Sequence, residues 1–106
     1  MADAYKTLYQ DQLPNSVATL VTVGGAKSWI VKHISIVNNG PGNATFQLFR
    51  NGTTAAFAWS PPLMSIVDSG MAEWDGTEAL ASGETFAGVA SVASQLTITI
   101  TGDEVS

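Results

Sequence analysis

The chain has 106 residues, of which 45% are hydrophobic and 12% charged, with a net charge of −5 and no cysteine. Four Lys plus Arg do not supply the basic footprint of a nucleic-acid binder, and anionic membrane surfaces are disfavoured for the same reason. Without cysteine there is neither a disulfide frame nor a thiolate zinc site, and the length allows one domain with a single modest core.

The charged fraction is about half the usual ~25% of globular chains. Thr, Ser, Asn, Gln, Ala and Gly take the place of Lys and Glu, and such a surface loses water cheaply because few ions must be desolvated. That composition points to extensive protein–protein contact. No charged-then-apolar leader opens the chain, and no apolar run approaches the ~20 residues of a bilayer span. Synthesis in the cytoplasm is the expectation.

Residues 1–13 read as an N-terminal arm ahead of a domain over 14–106, with a strand-like patch at Ala4–Gln10. A terminal strand of this kind either closes its own sheet or adds to a neighbour's. Pro14-Asn15 is a turn, and Val17–Val23 is a second strand closed by Gly24-Gly25. Trp29–Asn38 is the most apolar strand: Ile30, Ile34 and Ile36 share one parity, and Trp29, Val31 and Val37 the other. Apolar content on both faces predicts a central strand or one with a covered outer face. Asn38–Asn43 punctuates a loop.

Ala44–Arg50 is a strand, and Asn51-Gly52 after it is a strong hairpin signal, which predicts a return strand at Thr53–Trp59. Ser60-Pro61-Pro62 breaks that run. Leu63–Val67 is a short strand, Asp68-Ser69-Gly70 a turn and Met71–Asp75 another strand, with room for one helical turn at Thr77–Leu80. Thr85–Ala93 and Gln95–Thr101 complete the set, the latter alternating Leu96, Ile98 and Ile100 with Thr97, Thr99 and Thr101. Short strands at roughly 8–12-residue spacing predict an all-β fold with little or no helix.

Candidate chemistry is sparse. His33 is the one histidine, and acid–base work on a strand needs a placed carboxylate partner; a structural or interface role is expected. Asp68, Glu73, Asp75 and Glu78 form the densest acidic stretch, yet their spacing matches no calcium loop, so solvated loop charge is expected and no metal. There is no G-x-S-x-G elbow and no Walker lysine. An enzyme is not expected, nor a cofactor. Asn43-Ala-Thr45 and Asn51-Gly-Thr53 match glycosylation sequons, which occur by chance.

Trp29 is expected in the core and Trp74 as a plug at one end of the fold. Trp59, beside Pro61 and Pro62 at a strand end, suits either the core or a rim that anchors a partner. With Tyr5, Leu8 and Tyr9 of the arm, these are the candidate contact residues.

Four segments carry a family likeness: Leu8-Tyr9-Gln10-Asp11-Gln12-Leu13-Pro14, Trp29-Ile30-Val31-Lys32-His33-Ile34 with Val37-Asn38, Leu48-Phe49-Arg50-Asn51-Gly52-Thr53, and Ala72-Glu73-Trp74-Asp75-Gly76-Thr77 running through Ala81–Gly88 to Gly102-Asp103-Glu104. Together they resemble small virion structural proteins of tailed bacteriophages. The eight or nine short strands read above fit a sandwich or a small barrel; the resemblance implies a β-sandwich building block of the particle, and the expectation is a single antiparallel β-sandwich, jelly-roll-like, of about eight short strands. The resemblance also implies a capsid decoration protein on the outer shell, bound to the major capsid protein and to copies of itself, with a trimer favoured. A tail, baseplate or neck component is the nearest alternative. A carbohydrate-binding β-sandwich module, stacking Trp and Tyr on sugars, is the alternative from another class.

Overall fold

The computed structural model describes residues 3–52 and 64–105. They form eight strands and no helix: β1 (Asp3–Gln12), β2 (Ala18–Thr22), β3 (Ser28–Asn38), β4 (Ala44–Arg50), β5 (Met64–Ile66), β6 (Met71–Leu80), β7 (Thr85–Ala90) and β8 (Leu96–Val105). The strand expected at Thr53–Trp59 lies outside the described residues. Thr77–Leu80 is not a helical turn; it continues β6 as a strand because its last three residues find ladder partners on β3, with Glu78, Ala79 and Leu80 opposite Val31, Ile30 and Trp29.

The strands make two four-stranded sheets, ordered β1-β8-β3-β6 and β2-β7-β4-β5. All pairings are antiparallel and four of them are nested: β1 with β8, β2 with β7, β3 with β6, β4 with β5. The N-terminal segment thus closes its own sheet, from Asp3 opposite Val105 to Gln12 opposite Thr97.

Both sheets feed one core. Trp29, Val31, Ile34, Ile36, Leu80, Leu96, Ile98 and Ile100 come from the first, and Ala44, Phe46, Leu48, Ile66, Phe86 and Ala90 from the second. β8 follows its alternation strictly, with Leu96, Ile98 and Ile100 fully buried. Burying one such side chain contributes roughly 1.5–3 kcal/mol. Trp29 is in the core as expected. Trp74 is half-buried against that core, and it sits mid-strand opposite Ile34 rather than at an end of the fold.

A row of bulges resolves the mixed parity of β3. Its pairing with β8 slips between Val31 and His33, so Lys32 is an extra residue. The slip turns Trp29 and Val31 inward on one side and Ile34 and Ile36 inward on the other. Nearby strands slip there as well: Leu8 is extra on β1, one β8 residue further along, and Gly76 and Thr77 of β6 face the single Lys32. Straight β8 therefore has bulged strands wrapped about it, which bends the sheet.

The bend presses the backbone of β3 onto β8. A Cβ at Gly102 would collide with the carbonyl oxygen of Ile30 and come within 3.0 Å of the Val31 Cα. Neither neighbour is a mobile side chain. Gly102→Ala is therefore expected to lower stability by about 3 kcal/mol, read as a lower urea midpoint at unchanged slope; a midpoint equal to wild type would contradict the bulge geometry.

Candidate interaction surface

Alternation along the strands puts polar side chains on the outer face of the first sheet. Thr97, Thr99 and Thr101 of β8 run beside His33 and Ser35 of β3, with Glu73 and Asp75 of β6 opposite those two. His33 Nδ1 lies 2.6 Å from Asp75 Oδ1, and its Nε2 lies 3.3 Å from Glu73 Oε2. The lone histidine thus bridges a central strand to an edge strand, in keeping with a structural role. Glu73, Asp75 and Glu78 are strand residues of β6 and not loop charges; of the four acids, only Asp68 is in a turn. No metal-binding cluster of His, Cys, Asp and Glu occurs among the described residues.

The predicted contact residues separate. Tyr5 is 66% exposed, opposite Asp103. Leu8 and Tyr9 are half-buried and pack against the core, and burial, with the Asp11 charge, raises the Tyr9 phenol above its ordinary pKa. Trp59, Pro61 and Pro62 lie outside the described residues.

The feature that sequence reasoning missed is the end of the molecule where four connections meet: β1–β2 (13–17), β3–β4 (39–43), β5–β6 (67–70) and β7–β8 (91–95). Its centre is Asn38, 1% exposed. The Asn38 amide nitrogen donates to the carbonyls of Gly42, Ile66 and Val67 at 3.0–3.1 Å, and its oxygen accepts from the Gly40 N–H at 2.8 Å. Gln95, 4% exposed, donates to that same oxygen and to the carbonyls of Pro41 and Gly42. Buried amides hold a structure only when satisfied, and here both are.

Backbone bonds tie the rest: Leu13 N to Leu96 O, Asn38 N to Gly70 O, Asn39 N to Gln95 O, Ala90 N to Pro14 O and Ser91 N to Thr45 O, all at 2.8–2.9 Å. The Asp68 N–H donates to Asn43 Oδ1 at 3.0 Å. The Gly40-Pro41 peptide is cis. The one available sequence signal was Asn38 itself, a polar residue ending an apolar strand before an Asn-Gly-Pro-Gly run.

The opposite end holds the charged contacts. Glu104 accepts from Lys6 Nζ at 2.8 Å and from the Trp29 indole N–H at 3.1 Å. Lys32 lies 3.4 Å from Asp103. Arg50 of β4 donates to the Ala79 carbonyl of β6 at 2.7 Å, linking the two sheets, with Glu78 and Glu84 beside it.

No protein family model, curated protein or solved structure matches the chain.

The Lys6 hydrogen bond first, and then that of Trp29, holds the Glu104 carboxyl below its ordinary pKa of 4.5. A lowered folded pKa means the contribution is complete above about pH 4.5 and is lost as pH falls through the folded value. Glu104→Gln is therefore expected to flatten the loss of stability between pH 5 and pH 3, measured as urea midpoints across that range. An acid limb as steep as wild type would contradict the assignment.

Proposed function

We propose that the eight strands form a jelly-roll β-sandwich, and that the chain is a bacteriophage virion structural protein of the capsid decoration type. It binds the major capsid protein and further copies of itself on the head surface. The observation that carries the reading is the nested strand order, β1-β8-β3-β6 beside β2-β7-β4-β5, with both sheets feeding one core. Eight strands nested in this way support the jelly-roll reading, an architecture used by capsid and lectin domains.

Fold alone does not select between those uses; the described surface and the composition support the capsid reading. Sugar stacking needs exposed rings, and Tyr5 is the one exposed aromatic among the described residues, Trp29 being buried and Trp74 half-buried. The charge-poor surface instead suits lasting protein contact. The mechanism is mass action: a ligand that binds only the assembled shell stabilises the shell, and many copies add up.

The test is mass spectrometry of purified virions of the encoding phage. The chain is expected in the particle, in copies proportional to the major capsid protein. A small fixed number would assign it to the tail, baseplate or neck and overturn decoration; absence from the particle would overturn the structural reading altogether.

A further inference from the structure

We infer that the four-loop end around Asn38 is the face that docks, and that its partner is a protein surface with an apolar centre and a rim of Lys and Arg. The inference rests on the shell-binding reading and gives that reading a face and a chemistry.

Apolar exposure is concentrated there. Among the exposed large hydrophobic side chains, Val17, Val67 and Val92 lie in three of the four connections, and Met71 opens β6 beside the same end. Val67 is 62% exposed and Met71 55%. Exposed apolar groups clustered this way mark interaction sites.

Charge is distributed unevenly along the molecule. The four Lys and Arg of the chain are Lys6, Lys27, Lys32 and Arg50. Lys27 lies in the β2–β3 connection at the opposite end, Arg50 ends β4 there, and Lys6 and Lys32 sit at the bulge level. Lys6, Lys32 and Arg50 pair with Glu104, Asp103, Glu78 and Glu84. Toward the loop end stand Asp11, Asp68, Glu73 and Asp75, with no Lys or Arg ion pair among the described residues. Glu73 and Asp75 have His33. Glu73 is exposed on the same face of β6 as Met71, and Asp68 adjoins Val67. An apolar patch rimmed by carboxylates that have no Lys or Arg partner, two of them sharing the single His33, complements a basic rim, and a second copy docked loop end to loop end would set like charges together.

The sheet edges among the described residues offer no easier route. β1 is bulged at Leu8, β2 is short and bulged near Leu20, β5 has three residues, and β6 carries a bulge and three carboxylates. Each is a device that blunts strand addition. The loop end, by contrast, is already ordered by its buried amides, so docking costs little further entropy.

The probe is heads from a phage strain lacking this gene, with binding of labelled protein measured by co-sedimentation. Val67→Lys and Val92→Lys together put cations against a basic rim and are expected to weaken binding about tenfold or more. Thr22→Lys, exposed at the opposite end, is expected to bind within about twofold of wild type. Thermal melts of the free variants check folding. Wild-type binding should weaken with added salt, and Asp68→Asn with Glu73→Gln should make that dependence shallower. If wild type binds and the loop-end variants bind equally well, the docking face is wrong while the shell-binding reading stands. If folded wild type does not bind these heads, the reading fails and this inference with it.

Discussion

One buried amide holds the loop end together. Asn38 terminates the central strand of one sheet, and its side chain satisfies the carbonyl of Ile66, the last residue of an edge strand in the other. Through Gln95 it also gathers the start of β8 and the cis Gly40-Pro41 turn. In a low-dielectric interior each unmade bond would cost roughly 1–3 kcal/mol. The converse holds as well: with every partner present, four separate connections become one surface.

The bulges impose the second constraint. β8, which alternates from Leu96 to Gly102 and carries no extra residue, supplies the reference line, and its neighbours take up the curvature as extra residues at successive positions along it. The same bulges spoil the edges of β1 and β6. Charge follows this division: ion pairs cluster at and beyond the bulge level, while the loop end relies on neutral hydrogen bonds. A molecule built this way leaves its connections, and not its strand edges, for company.

Much of the fold was legible because period-2 alternation is a direct consequence of a half-buried strand. Leu96 to Thr101 is the plainest case, and Ala44–Arg50 follows the same logic. β3 was only half legible: both parities carry large apolar residues, and no local rule places a bulge at Lys32. The collision that requires glycine at position 102 involves Ile30, far away in sequence. Thr77–Leu80 read as a possible helical turn because its preference for strand comes from pairing with β3, a tertiary effect that overrides local propensity. The candidate surface was least legible. Tyr5, Leu8 and Tyr9 share a sequence neighbourhood, but the bulge at Leu8 and the packing of Tyr9 separate their environments. Val17, Val67 and Val92 lie far apart in the chain, and only the topology brings them to one end.

The most direct test of the central claim, that the loop end is a pre-built surface, is native-state hydrogen exchange on the free protein. The amides of Asn38, Asn39, Gly40, Asp68 and Ser91 each have an acceptor at that end. They are expected to be protected to the same degree as the strand amides of Ile98 and Ile100, opening only with the global unfolding of the domain. Exchange of those five at the rate of an open loop, while the β8 amides stay protected, would contradict the account.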